Sequence, residues 1–220
     1  MDILLVSATS FELDPLLLSF NFEKKINQNL TRYSFNTHTI DVLISGIGMT
    51  ATAFWMGKTL SSTSYDLSIN LGIAGSFSEQ INIGETVHVI ADEISELGAE
   101  NDTQFLSLKE LKIAKNKSRF NSPIPIHNAI ISSLKKVNGI TVNTVHGNEK
   151  TIEKIKNRLS PDIESMEGAA FLMACSSEKI KCAQIRTISN PVEKRNKDHW
   201  DIPLAINNLC KTGLEILNSL

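Results

Sequence analysis

The chain has 220 residues, 41% hydrophobic and 21% charged, which suits one α/β domain with a sizeable core. Its formal net charge of −2 gives no footprint for nucleic acid or a membrane surface. No apolar run reaches the ~18 residues of a membrane span, and the opening "MDILLVSA" has no basic n-region and carries Asp2, so it reads as a strand and not as a signal peptide.

"DILLVSA" is a short apolar run, as a buried strand requires. "SFELDPLLLSF" then reads as a short helix opened by Ser10. Residues 31–36 and 39–44 form two strands joined near Thr37 and His38, a hairpin. "GIGMTATAFWMGKTLSS" is a turn feeding a helix, and "DLSINLGIAGSF" a strand entering a second glycine turn. "GETVHVIADEIS" is another strand. "KELKIAKNKSR" holds five basic residues and one acid and reads as a solvated face or loop. Residues 126–137 are predicted helical and "GITVNTV" a strand. Residues 148–159 are helical and "DIESM" is a short strand. "EGAAFLMACSSEK" is a buried helix, "CAQIRTIS" a strand, and "IPLAINNLCKTGLEILNSL" a closing helix with Pro203 near its start. Strands and helices alternate from Ile40 onward, so a largely parallel sheet with helices on both faces is expected, made mixed by the early hairpin. With no internal repeat or linker, residues 1–220 read as one domain.

The three cysteines, Cys175, Cys182 and Cys210, lie in apolar contexts and read as reduced core thiols of a cytoplasmic protein. The five histidines are scattered, with no HExxH or Cys-His cluster, so no protein-bound metal is expected.

Ligands of open α/β sheets sit where strands give way to helices. Here five such junctions carry useful chemistry: "SATSFE", "SGIGM", "LGIAGS", "ESMEG" and "ISNPVE". The most unusual is "DIESMEGAAF", which places Asp162, Glu164 and Glu167 just before a helix about to enter the core. "GIGMTA" also spells G-x-G-x-x-A, a dinucleotide-binding pattern. The acid that should close the following strand is missing: Asp66 precedes "LSINLG", which ends in Gly72. A tight turn that lets backbone approach another ligand accounts for the same glycines.

In order and spacing, "SATSFE", "SGIG", "NLGIAGS", "ESMEGAA" and "RTISN" resemble the purine nucleoside phosphorylase and nucleosidase superfamily over nearly the whole chain. "SMEGAA" and the tail "ISNPVEKRNKDHWDIPLAI" resemble one branch, the futalosine hydrolases, which release hypoxanthine from futalosine on an alternative route to menaquinone. The resemblance implies a three-layer α/β/α fold around a twisted mixed β-sheet, a homodimer or larger homo-oligomer, a small-molecule nucleoside substrate and no cofactor. It gives no reason to expect a nucleic-acid or membrane partner.

Breaking a ribose–purine bond builds positive charge on the sugar and negative charge on the base. A carboxylate is an acceptor-only group that can hold both ribose hydroxyls and stabilise the cationic sugar. By similarity that is Glu167, with Met166 packed against the sugar; read alone, Glu167 is equally an acid favoured in a helix's first turn. Glu164 and Asp162 do not align with the sugar-binding acid and read as solvated or salt-bridged surface groups. Glu12, a short turn after the first strand, stands where the family activates water. Asn190 stands where adenine-cleaving relatives carry an aspartate that protonates N7. Its amide offers a donor beside an acceptor and suits O6 and a protonated N7 of a 6-oxopurine, although an amide can turn round.

A phosphate nucleophile needs a cation. The superfamily's bacterial phosphorylases place an arginine before the glycine turn, where this chain has Asn70 and no Lys or Arg from Asp66 to Gln80. Water is therefore the expected nucleophile. Ile47, Ala74 and Gly75 are expected to line the pocket. In "VHGNEK", where relatives contact the base, Lys150 replaces the expected aromatic residue. Arg195 and Trp200 are expected to cover the carboxylated 5′ tail of the substrate, with a purely structural plug the other reading for Trp200. The alternatives are a methylthioadenosine/adenosylhomocysteine nucleosidase and, in another class, a non-catalytic nucleoside-binding protein.

Overall fold

The computed structural model describes residues 1–113 and 117–220. The strands are β1 (Asp2–Ser7), β2 (Asn21–Lys25), β3 (Leu30–Phe35), β4 (His38–Ile44), β5 (Leu67–Ser76), β6 (Thr86–Ile94), β7 (Gly98–Asn101), β8 (Gln104–Ser107), β9 (Arg119–Asn121), β10 (Lys135–Thr141), β11 (Ile163–Ser165) and β12 (Lys181–Pro191). The helices are α1 (Asp14–Leu17), α2 (Met49–Leu60), α3 (Ala129–Ser133), α4 (Glu149–Leu159), α5 (Gly168–Glu178) and α6 (Ile202–Asn218). The main sheet runs β2-β3-β4-β1-β5-β12-β6-β10-β11, with β9 added to β6. Strand β1 is parallel to β4 and β5, β12 is parallel to β5, and β6 is antiparallel to β12. The three-residue β11 pairs in parallel with β10 and antiparallel with β5, so this end of the sheet curls back onto its centre.

Strand β1 explains the layers. Ile3 and Leu5 join a cluster that includes Leu16 of α1, Ile131 of α3 and Leu209 of α6. Leu4 and Val6 join another that includes Met56 of α2 and Phe171 of α5. A strand covered on both faces must be apolar at every position, which is why "ILLV" shows no alternation. Helix α5 is sandwiched between α2 and the sheet, and Phe171, Leu172 and Cys175 are all buried. The mixed three-layer architecture matches the expected fold class.

The early hairpin also forms as expected: Phe35 pairs with His38, and Asn36 takes the left-handed conformation at φ 51° that the tight turn needs. Three local expectations change. Residues 126–137 are not one helix. Asn128 caps a five-residue α3 through its Oδ1, which accepts from Ile131 N–H at 3.1 Å, and Lys135 already begins β10. Val137 packs with Val87 and Val89 of β6, so pairing overrides local helix propensity. The simple alternation fails after β5, because β6, the β7–β8 hairpin and β9 follow with no intervening helix among the described residues. Strand β2, in the polar "NFEKK", carries no apolar pattern and forms as an exposed edge on β3. Of the basic stretch 109–119, Lys109 and Lys112 are exposed and Arg119 opens β9, while residues 114–116 lie outside the described residues.

Candidate active site

Strand β5 is the spine of the site. Gly72, Ile73, Ala74 and Gly75 run along it, with β12 on one side and β11 on part of the other. Around them stand Glu12 from the turn after β1, Gly48 from the turn after β4, Glu167 from the end of β11, and Arg186 and Asn190 from β12.

Glu12 closes the 3-10 turn Ser10–Glu12 and is only 7% exposed. Its Oε2 accepts hydrogen bonds from Ser7 Oγ at 3.0 Å, Thr9 N–H at 3.1 Å and Thr9 Oγ1 at 3.1 Å. Its Oε1 accepts from Ile73 N–H at 3.1 Å. The turn thus reaches across to β5 and holds this carboxylate rigidly.

Glu167 is the N-cap residue of α5 and is equally buried. Its Oε1 accepts from Gly48 N–H at 3.0 Å, and its Oε2 lies 3.8 Å from Arg186 Nη2. Burial pushes the Glu167 carboxyl above its ordinary range, the Arg186 charge and the Gly48 N–H pull it back, and the Glu12 charge raises it again. Gly48, at φ 97°, supplies that N–H from a conformation that favours glycine.

Arg186 is fully buried and donates from Nη2 to Asn70 Oδ1 at 2.6 Å. Its guanidinium lies over Gly72: a Cβ there would stand 1.8 Å from Arg186 Nη1 and 3.2 Å from Glu12 Oε1. One cation therefore sits between two carboxylates on a patch of sheet kept bare by glycine. Behind it Asp92 of β6 is wholly buried, accepting from Gln184 Nε2 at 2.9 Å and Thr141 Oγ1 at 2.7 Å. Burial pushes its carboxyl up to about 6, against those two hydrogen bonds. Thr141 Oγ1 also accepts from Ala169 N–H at 2.7 Å, which ties Asp92 to the first turn of α5 beside Glu167.

Asn190 pairs with Gly75 across a bulge at Ser189. Its Oδ1 accepts from Ser189 Oγ at 2.8 Å, and its Nδ2 donates to Pro191 O at 2.9 Å. The Pro191 carbonyl can only accept, so the amide has one orientation. Ala74 and Gly75 are buried beside it. Met166 is half-buried against the cluster of Phe77, Val142 and Val192. Ile47 is 64% exposed at the tip of the Gly46–Gly48 turn, whereas Arg195 is an exposed residue whose guanidinium carbon lies 5.0 Å from the Trp200 ring centre. The structure thus gathers Glu12, Glu167, Ala74, Gly75, Met166 and Asn190 along β5, while Ile47, Arg195 and Trp200 stand on outlying loops.

Arg186, Asp92 and Gln184 went unremarked in the sequence as site residues, and Asn70 was noted only for standing where bacterial phosphorylases carry an arginine. The signal for Arg186 was a single charge inside the apolar strand "CAQIRTIS". Glu164 is not the surface acid expected: it is 4% exposed, and its Oε2 meets His146 Nδ1 at 2.6 Å. Asp162 accepts from Asn138 N–H at 2.7 Å and is half-buried. The Asp66 carboxylate accepts from Asp2 N–H at 2.8 Å, a structural role unrelated to any dinucleotide. Among the described residues no helix is long and apolar enough to cross a membrane.

Residues 2–219 match the family model of the phosphorylase superfamily. A futalosine hydrolase of Acidothermus cellulolyticus is 30% identical over 182 residues, 79% of this chain and 73% of that protein. A 5′-methylthioadenosine/S-adenosylhomocysteine nucleosidase of Glaesserella parasuis is 25% identical over 100% of this chain and 99% of its own length. The native structure of futalosine hydrolase from Helicobacter pylori superposes with a TM-score of 0.85 at 16% identity, covering 100% of this chain and 98% of that one. With two buried carboxylates around one arginine on a glycine-lined strand, the chain belongs to the phosphorylase superfamily and, within it, to the futalosine hydrolases, enzymes that hydrolyse N-glycosyl bonds.

Proposed function

We propose that this protein hydrolyses futalosine to hypoxanthine and dehypoxanthine futalosine, a step of menaquinone biosynthesis. The observation that carries the reading is the arrangement of Glu12 and Glu167 about Arg186, with Asn190 further along the same strand. Glu12 takes a proton from water as the water attacks the anomeric carbon. Glu167 accepts from the ribose hydroxyls and stabilises the developing cation. Asn190 grips the 6-oxopurine edge through its remaining donor and acceptor capacity. Met166, Ala74, Gly75 and Ile47 line the pocket for the sugar and base, and Arg195 and Trp200 cover the 5′ tail.

Water rather than phosphate is the nucleophile on electrostatic grounds. The sequence lacked a cation before the glycine turn, yet Arg186 brings one from β12. That cation is bonded to Asn70 and lies 3.8 Å from Glu167 in a fully buried position, so it is committed within the protein and is not free to hold a phosphate. The same reading takes the enzyme as cytoplasmic, free of cofactor, and a homodimer or larger homo-oligomer. The exposed Phe11 and Ile47, on the two turns that carry Glu12 and Gly48, mark where a second copy would adjoin the site.

The test is incubation with futalosine in phosphate-free buffer, following free hypoxanthine. No release, or release only with phosphate, defeats the proposal. A second reading, a methylthioadenosine/adenosylhomocysteine nucleosidase, is favoured by the full-length similarity to the Glaesserella parasuis protein. Faster release of adenine from methylthioadenosine than of hypoxanthine from futalosine would establish it instead.

A further inference from the structure

Asn190 holds no titratable proton, yet a purine leaves far more readily as a neutral base than as an anion. Glu12 and Glu167 serve the other end of the bond, at the water and the sugar. The titratable pair beside Asn190 is different. Gly75 is flanked by Asn190 of β12 on one side and by Glu164 of β11 on the other. Both side chains converge above it: a Cβ at Gly75 would stand 3.2 Å from Asn190 Nδ2 and 3.6 Å from Glu164 Cγ. Glu164 in turn holds His146 twice, accepting from its backbone N–H at 3.0 Å and meeting its Nδ1 at 2.6 Å. The Glu164 side chain is 3% exposed and that of His146 14%. Phe77 meets the His146 ring edge-on at 6.1 Å, and Phe77 belongs to the cluster against which Met166 packs.

We propose that the His146–Glu164 pair is the proton source for the departing purine. The inference rests on the hydrolase reading above. Glu164 fixes the Nδ1 side of the imidazole and so sets the orientation of the ring, as a buried carboxylate does for a histidine it holds. Nε2 makes no hydrogen bond among the described residues and remains to donate. As the C1′–N9 bond breaks, its electron pair passes to the purine and N7 takes the proton from His146, directly or through one water. The attacking water gives its oxygen to C1′ and its proton to Glu12. Glu12 then loses that proton to solvent and His146 regains one, so the cycle consumes one water and no net proton.

The resupply route is visible. His146 lines an open cleft of about 700 Å3 between the β7–β8 hairpin and α4, which contains neither Glu12 nor Glu167. The charged groups on that cleft are Lys154 and Arg158 from α4 and Glu96, Glu100 and Asp102 from the segment opposite. The proton thus enters by a different side from the sugar's carboxylates.

The test compares wild type and His146→Ala on futalosine and on its N7-methylated form, whose base leaves neutral without any proton. On futalosine, kcat should fall by about 100-fold with KM within about threefold, and added imidazole should restore at least about tenfold of the loss. On the methylated substrate the two proteins should agree within about threefold. Glu164→Gln, checked for an unchanged melting temperature, should repeat the pattern in weaker form. Equal losses on both substrates, no imidazole rescue, or an unchanged kcat on futalosine would each overturn the proposal. A wild type that releases base from neither substrate would instead overturn the hydrolase reading on which it rests.

Discussion

Gly72→Ala offers a severe test of the charge cluster. The added methyl would stand 1.8 Å from Arg186 Nη1 and 3.1 Å from its Cζ. Strand β5 cannot recede, because Gly72 is paired to Arg186 itself on β12. The guanidinium must therefore move, and it has no space, being fully buried. Moving it breaks the 2.6 Å bond to Asn70, a charge-assisted contact worth about 1.5–3 kcal/mol. Crowding a packed interior adds about 1–3 kcal/mol. Together these give a loss of roughly 2.5–6 kcal/mol, equivalent to a melting point lower by about 5–20 °C in a domain of this size. Displacing the cation also exposes Glu12 and Glu167 to each other's charge, so kcat/KM should fall by at least about 100-fold. Urea denaturation and hypoxanthine release read the two effects. A stability change below about 1 kcal/mol together with a near-normal rate would show that Arg186 is not held as argued.

Three further outcomes are expected. Glu12→Gln should lower turnover by about 100-fold or more while calorimetry still detects nucleoside binding, whereas Glu167→Gln should weaken both; near-normal turnover by Glu12→Gln would remove it as the base. Asn190→Asp should shift the ratio of hypoxanthine to adenine release toward 6-amino purines, and an unchanged ratio would count against the donor–acceptor reading of Asn190. Asp92 is neutral in the fold up to about pH 6, so between its ordinary value of 3.8 and about 6 the unfolded chain gives up a proton that the native state keeps. Stability from this group is fully present below that window and is lost as pH rises through it, by about 3 kcal/mol. Asp92→Asn can keep both contacts if Gln184 turns its amide, whose Oε1 has no partner among the described residues. The stability gap between variant and wild type should therefore widen from pH 4 to pH 6, and a constant gap in urea titrations would refute the burial argument.

The sequence made the layers legible because apolar runs such as "ILLV" admit few other structures, whereas Glu12 and Glu167, which read alone are ordinary first-turn acids, were marked by the resemblance of their motifs to the superfamily. It hid the elements that owe their existence to pairing. Strand β2 has Phe22 as its one apolar residue and exposes every position, and β10 begins inside what reads as a helix. The site was legible where a motif resembles the superfamily's and opaque where a residue acts through distant partners. Arg186 matters through Asn70, 116 positions away, and Glu164 through His146, 18 positions away. No local window contains both members of either pair. Ile47 illustrates the opposite limit: its place in the chain is plain, but its side chain points to solvent in the single chain.

The tiny strand β11 has neighbours on both edges, and it delivers Glu164 within its span and Glu167 two residues beyond its end. A single-residue insertion there would turn inward-facing groups outward on a segment with no free side to absorb the change. A change of chain length is absorbed more readily in the largely exposed stretch 193–199, which leaves the register of Glu164 and Glu167 untouched.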